Sequence, residues 1–567
     1  MELLFSVGSF TELREEWASH PLRQSVDDSG LRGFFGEVFG KNADGGSARE
    51  EDGFRHVLEN EFQLTVDELF ELFPGSAAVA LFNLSDLLLK EAERPDLLIM
   101  AEFSGDAERL EGLMQIQFER NAEAQKEVNP LVEHEWVTET FMGETLHFDE
   151  TFDGENTYVE DGYALVDGVF VLGAPEERLR SAVESIKRAG LPPVADSPNY
   201  LRTREESGES DVGLFLNLVE VMPKLNEALM RRSGESGMGM FGVTSRTLDD
   251  ALALESMQAA FLDLDLTDGG AMLHSGITYE GKEGLLSLLT YADGPLPRAA
   301  YVPQGVLSTS ISNFDFAAML ANLEKLMTVG SPNLPALADI QMQNIRNQTG
   351  VDLRAAVLEN FGDQFVSASV LDESDREAEV PYQPQQVFIF ELVDAASFSQ
   401  ALESFKDLVP GLRAQIETRD FEGQTIHTFR APGASGAPDD PSADFSYVVT
   451  RSHWILNTGP IGLLQEVLDR IEGGGEGFWQ SPEAERMFEP VARPDPVTRS
   501  YVDLEQMVGP MFESIAQAMA VGGMGRMVDR DQMPKDFHFP YSIVSEMNEA
   551  PDGLFSRAAL LRRPSAE

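Results

Sequence analysis

Two histidines occupy matching places in this chain. His147 closes the run Phe141-Met142-Gly143-Glu144-Thr145-Leu146-His147, and His427 closes Phe421-Glu422-Gly423-Gln424-Thr425-Ile426-His427. Imidazole titrates near neutral pH, but it serves as a general base only with an orienting carboxylate and a nucleophile in hydrogen-bond reach. Neither run specifies such partners. Both residues are therefore read first as strand positions whose rings close a sheet edge or hydrogen-bond a loop, a repeat-equivalent pair of unassigned role. His134-Glu135 begins a zinc-protease pattern, but Thr138 stands where the second His would be needed. Gly36-Glu37-Val38-Phe39-Gly40-Lys41-Asn42 has the Gly-Lys pair of a phosphate loop, yet its first glycine is one residue too close and Asn42 replaces the Ser or Thr that would hold magnesium. Gly237-Met238-Gly239-Met240-Phe241-Gly242 has dinucleotide-fingerprint spacing but follows a helix and a polar stretch, where the motif requires a strand. Groups such as Asp263, Asp265 and Asp268 offer hard oxygen ligands without the spacing of a calcium loop, and a solvated acidic face accounts for them.

The methionines carry a different kind of chemistry. Met238, Met240, Met524 and Met527 lie in equivalent Gly-rich segments, and a thioether side chain adapts to varied apolar partners. The plain reading is gap-filling beneath neighbouring hairpins or a place in loops; if exposed, these four residues form an interaction surface. No catalytic, cofactor-binding or metal-binding residue is assigned, and no cofactor is expected.

The balance of charges narrows the classes. The chain has 97 Asp plus Glu against 42 Lys plus Arg over 567 residues, a net charge of −55, and its basic residues adjoin only as pairs such as Lys187-Arg188 and Arg562-Arg563. Nucleic-acid binding needs a concentrated basic face and is excluded. The absence of cysteine removes disulfides, thiolate zinc sites and cysteine nucleophiles together. A hydrophobic content of 42% supports packed cores. The richest apolar stretch, Gly75 to Leu89, is broken by Asn83, Ser85 and Asp86, so no transmembrane span is expected. The first residues show no basic and apolar leader regions.

These residues are positioned by elements that recur. The two Phe-x-Gly runs are displaced by 280 positions, Ser197-Pro198 and Ser481-Pro482 by 284, and Asp268-Gly269 and Asp552-Gly553 again by 284. Between the markers the local patterns repeat. Leu97 to Phe103 reads as a strand followed by Asp106 as N-cap of a helix with Leu110, Leu113 and Met114 on its apolar face; Val387 to Leu392, Asp394 and Phe398, Leu402 and Phe405 are its counterpart. Tyr163-Ala164-Leu165-Val166 and Val169-Phe170-Val171-Leu172 flank Asp167-Gly168, a tight hairpin turn, and a helix with Leu179, Ala182, Val183 and Ile186 follows. In the closing hairpin Phe261, Leu262, Leu264 and Leu266 alternate with Asp263 and Asp265, which predicts the carboxylates on a wet face. The expectation is an α+β protein, a tandem duplication of a mainly antiparallel sheet with helices packed on one face. The first repeat spans 1–295, with its closing segment from about 197, and the second 296–567, with its closing segment from about 481. The second copy enters its first strand through Tyr301 to Gly305 while the first begins at Met1, which predicts a segment upstream in the natural protein.

The opening strand ending in Ser-Phe, the element Leu64-Thr65-Val66-Asp67-Glu68-Leu69-Phe70-Glu71-Leu72-Phe73-Pro74-Gly75, the strand with its Asp-capped helix and the Phe-x-Gly-x-Thr-Ile/Leu-His hairpin together resemble a bacterial family catalogued only as a domain of unknown function. Its members are typically duplicated and acidic. The resemblance implies a periplasmic or extracellular protein and supplies no catalytic residues. The functional expectation is a non-enzymatic binding or structural protein with a protein, peptide or lipid partner. The alternatives are a hydrolase or other enzyme with a site between the halves, and a lipid or peptide carrier. A cleft with converging His and carboxylate groups would favour an enzyme, and an apolar groove lined by Met and Phe would favour binding.

Overall fold

The structure is a computed structural model and describes residues 1–28, 65–92, 94–152, 154–188, 197–233, 250–331, 333–371, 385–408, 411–430, 444–508 and 539–563. Its contacts group into two compact units, Met1–Ala228 with Met257–Glu280, and Leu229–Ser256 with Gly281–Glu567.

The first unit contains β1 (Leu3–Val7), β2 (Ala77–Leu81), β3 (Leu97–Glu102), β4 (Glu133–Phe141), β5 (Glu144–Phe152), β6 (Thr157–Val166), β7 (Val169–Ala174), β8 (Val212–Asn217), β9 (Met257–Thr267) and β10 (Gly270–Tyr279). They pair in the order β4-β5-β6-β7-β3-β2-β1-β8-β9-β10, antiparallel throughout. The second unit contains β11 (Ser308–Asn313), β12 (Phe361–Val370), β13 (Gln385–Leu392), β14 (Glu417–Phe421), β15 (Gln424–Arg430), β16 (Asp444–Val449), β17 (His453–Thr458), β18 (Thr498–Asp503), β19 (Tyr541–Ala550) and β20 (Gly553–Arg562). Their order is β14-β15-β16-β17-β13-β12-β11-β18-β19-β20, again antiparallel. The two orders are the same with every label advanced by ten. The protein is α+β, with one antiparallel design used in tandem.

The repeated sequence markers do identifiable work. Both Phe-x-Gly runs are two-residue hairpin turns in the left-handed region, with φ of 54° and 89° at Met142 and Gly143 and 49° and 78° at Glu422 and Gly423. Asp167 and Gly168 take φ of 52° and 82° between β6 and β7. Each Ser-Pro pair begins a helix with Pro in its first turn.

The helices of the first unit that matter below are α1 (Phe10–Ser19), α2 (Pro21–Asp28), α3 (Val66–Leu72), α4 (Ala107–Val128), α5 (Glu176–Lys187) and α6 (Pro198–Ser207). Strands β6 and β7 are apolar at nearly every position where they pair, so both of their faces need cover. Ala164, Val166 and Val171 pack with Leu179, Ala182 and Val183 of α5. Tyr163 and Phe170, turned the other way by the two-residue period, pack with Leu72 of α3 and Leu110 of α4. Helix cover in this stretch is therefore two-sided. In the second unit the corresponding helices are α7 (Ala395–Leu408) and α8 (Gly462–Gly473); Leu463, Leu464, Val467 and Leu468 of α8 are buried.

The closing hairpin of the first unit departs from its sequence pattern. Asp263 is 1% exposed, while Leu262 and Leu264 are 44% and 36% exposed, so the predicted wet face is the covered one. Helix α6 packs across β9 and β10 and brings the Arg204 guanidinium within 3.3 Å of Asp263, and a nearby cation is what lets a carboxylate be buried. Among the described residues no helix is long and apolar enough to cross a membrane.

Candidate functional site

Helix α4 starts where Asp106 accepts a hydrogen bond from the Glu108 amide at 3.0 Å, and its residues Leu110, Leu113, Met114, Gln117, Phe118 and Asn121 recur at helical spacing, forming one stripe. Helix α3 starts in a capping box, Thr65 with Glu68. The same Glu68 accepts from Arg109 at 2.6 Å, which ties α3 to α4. These interactions hold the Glu68 carboxyl down to about 2, the Thr65 amide and hydroxyl contributing most and Arg109 next. The two helices roof the face of β4 to β7 that carries Trp136, Asp149, Asp161, Tyr163, Phe170 and Leu172.

Roof and floor do not close on each other. Between them lies a cavity of about 500 Å³ whose walls are mostly Leu, Phe, Met and Trp side chains. Gly162 belongs to its floor: a Cβ there would sit 2.4 Å from a Phe148 ring carbon and 2.7 Å from the His147 carbonyl oxygen, so only glycine allows β5 and β6 to approach in this register. Leu110 packs at the end with Leu72 and Phe170, whereas Phe118 packs on Trp136 at 4.8 Å and on His134 at 6.2 Å. The stripe from Leu110 to Asn121 covers about 16 Å at the helical rise. Apolar walls thus lead to an end with Gln117, Asn121 and Asp149.

Two histidines lie behind that end. His134 Nδ1 is 2.9 Å from Asp149 Oδ1 and 3.1 Å from Thr151 Oγ1, while its Nε2 is buried without a hydrogen-bond partner among the described residues. In a catalytic triad the carboxylate and the nucleophile hold opposite ring nitrogens; here both oxygens meet Nδ1. His147 stacks on Tyr163 with centroids 4.6 Å apart and planes 6° off parallel. Burial holds His147 below its usual pKa, Glu111 opposing it, and burial likewise raises the Tyr163 phenol, with Glu111 adding to it. Both shifts favour the neutral ring and the protonated hydroxyl. His147 Nδ1, the Tyr163 hydroxyl and Gln117 Oε1 are all buried without a hydrogen-bond partner among the described residues. A buried polar atom left this way costs the desolvation it has undergone.

The second unit answers the same groups internally. His427 stacks on Tyr447 at 4.8 Å, on paired strands as in the first unit. The Lys406 ammonium of α7 stands 3.4 Å from His427 Nδ1, hydrogen-bonds Tyr447, lies 5.4 Å from the Tyr447 ring centroid and pairs with Glu403. Asp394 begins α7 by accepting from the Ala396 and Ser397 amides, both at 3.1 Å, as Asp106 begins α4. Aligning these caps, 288 positions apart, puts Phe398 at the place of Leu110 and Lys406 at the place of Phe118. Strand register matches Phe390 with Ala101 and Phe365 with Ala77, because each pair holds the same position in its sheet. Phe361, Phe390, Phe398 and Trp454 meet ring to ring there.

A larger cavity, about 1340 Å³, lies within the second unit between the segment Tyr291 to Arg298 and residues such as Trp479, Asp495, Arg499 and Glu549. Two of its polar side chains are satisfied within the unit: Trp479 donates to Thr309 and Arg499 pairs with the buried Glu546 at 2.6 Å. The methionines Met238, Met240, Met524 and Met527 lie outside the described residues. Among those described, no group of three or more His, Asp or Glu is arranged to hold a metal ion.

The pair His147 and His427 was legible from the duplication, but their stacking tyrosines were not singled out. Nor were Gln117, Trp136 and Asp149. The signal for the His134–Asp149 contact is the turn at Met142-Gly143, which sets His134 opposite Thr151 and Trp136 opposite Asp149.

No protein-family model matches the chain, and no curated protein matches it. Among solved structures, crystal forms IV, III and I of TP0453 are similar at 8%, 8% and 7% identity, covering 47%, 48% and 49% of this chain and 81%, 83% and 83% of that one. The TM-scores are 0.23, 0.23 and 0.22, too low to carry an argument about function.

Proposed function

We propose that the protein is a non-enzymatic binding protein that takes a small, largely apolar ligand between helix and sheet of the first unit. The observation that carries this is the cavity of about 500 Å³ under α3 and α4. Its size, apolar walls and few convergent polar groups are those of small-molecule sites. The unpartnered atoms at one end supply hydrogen-bonding positions for a ligand. The hydrolase reading finds less support, because His134, the histidine of this site that meets a carboxylate, has no nucleophile on its opposite ring nitrogen among the described residues. A location outside the cytoplasm, implied by the family resemblance, belongs to the same reading, and a net charge of −55 favours cationic over anionic partners.

The test is binding of a neutral, environment-sensitive fluorophore to the intact chain, displaced by dodecanol. Met114→Trp, which fills the cavity from its roof, is expected to weaken binding at least tenfold with the fold retained by circular dichroism. Unchanged binding in both Met114→Trp and Leu113→Trp would sink the proposal.

A further inference from the structure

The second unit contains its own answer to what the first unit leaves open. There an alkylammonium group, the Lys406 side chain, satisfies the histidine nitrogen and the tyrosine hydroxyl of the stacked pair and is neutralised by Glu403. In the first unit the same stacked pair is present, and the matching helix position is Phe118, which has no charge to offer. Tyr163 is 3% exposed, forms part of the cavity wall and has an unpartnered hydroxyl. Gln117 Oε1 adds an unpartnered acceptor, and the Asp149 and Asp161 carboxylates on the same wall supply the negative charge that Glu403 supplies in the second unit. Among the described residues of the cavity wall none is basic. The amide oxygen and the carboxylates are acceptors, and the His147 Nδ1 is one when the ring carries its proton on Nε2, so the group that matches them is a donor with positive charge. Aromatic faces at Trp136 and Tyr163 favour the same charge.

Resting on the reading that this cavity binds a ligand, we infer that the ligand is an amphiphilic primary amine, its ammonium taking in the first unit the place that the Lys406 ammonium takes in the second. The hydrocarbon body lies along the Leu110 end and the head meets Tyr163, Gln117 and Asp149. A carboxylate head in the same place faces carboxylates and is disfavoured.

The experiment compares dodecylamine, dodecanol and dodecanoate below their micellar concentrations, titrated calorimetrically into the intact chain at pH 7 and moderate salt. The amine is expected to bind at least about tenfold more tightly than the alcohol, and the carboxylate more weakly than either. Tyr163→Phe is expected to remove most of the amine's advantage while the alcohol still binds. Phe118→Lys supplies an internal ammonium and is expected to abolish amine binding; if it does not fold, Met114→Trp serves as the blocked form. Carboxylate binding equal to or tighter than amine binding overturns the inference and leaves the binding function standing. Amine binding unchanged in both Tyr163→Phe and the blocked form also overturns it, since the acidic surface would then be the site. Failure of all three compounds to bind overturns the inference and the proposed function together.

Discussion

At the centre of the second unit, Phe361, Phe390, Phe398 and Trp454 meet with ring centroids 5.2 to 5.9 Å apart, whereas the matching place in the first unit holds a cavity of about 500 Å³. The strand order is common to both, and side chains differ at matching places. Ala77 and Ala101 stand in the strands where the second unit has Phe365 and Phe390, and Leu110, on the cavity wall, stands where it has Phe398. Atoms lining an unfilled space forgo dispersion contacts, so keeping the space under α3 and α4 costs the first unit stability. A further exchange, Phe118 for Lys406, separates the polar ends: one copy carries a cation on α7, and the other has an apolar ring at that position.

The largest effect is expected from breaking the solid copy. Phe398 is fully buried, and Phe398→Ala is expected to destabilise the second unit by about 3–5 kcal/mol, measured by denaturant unfolding. Leu110→Ala, which enlarges a space that already exists, is expected to cost nearer to about 2 kcal/mol, the lower end for such truncations. Equal losses would mean that the two interiors are equally dense.

A smaller effect, which sharpens the comparison, is a gain from filling. Leu110→Phe imports the second unit's residue into the cavity wall and is expected to lower affinity for an apolar fluorophore severalfold while changing unfolding free energy by less than about 1.5 kcal/mol. Full affinity in this variant would show that Leu110 does not bound the ligand's place.

Acidification tests the stacked pairs. His147 and His427 are both held below the ordinary histidine pKa of 6.5 by burial, and in His427 the Lys406 charge adds to it. The unfolded chain therefore takes up protons first, so stability is full above pH 6.5 and is lost as pH falls from there through the depressed values. Lys406→Met is expected to raise the His427 pKa and leave that of His147 unmoved, as followed by NMR titration of the ring protons. A lowered His427 pKa would contradict the electrostatic role given to Lys406.

The smallest effect concerns the roof. Glu68, held to about 2, contributes stability that is present above 4.5 and lost as pH falls through its folded value. Glu68→Gln is expected to flatten that part of the acid unfolding curve and to quicken amide exchange in α3, with little change at neutral pH. An unaltered acid limb would show that the α3–α4 tie is idle.

Much of this arrangement was readable one element at a time. The turn dipeptides at Asp167-Gly168 and Met142-Gly143, the Asp caps at 106 and 394 and the apolar stripe beginning at Leu110 are local signals, and they form the elements they predicted. Asp263 shows where such reading stops: its alternation with Leu262 and Leu264 marks a strand but does not say which face is covered, and α6 with Arg204 decided that.

The sequence by itself determined the duplication, the antiparallel α+β design and the exclusion of cysteine chemistry, because periodicity, turn chemistry and composition act over short range or over the whole chain. Only the tertiary structure decided that a cavity lies between helix and sheet of the first unit. Whether Leu110 leaves a space depends on how far α4 stands from the sheet, and whether Tyr163 finds a partner depends on which residue of a helix far away in sequence is brought above it. Those distances are set by side chains meeting across elements, and no spacing along the chain contains them.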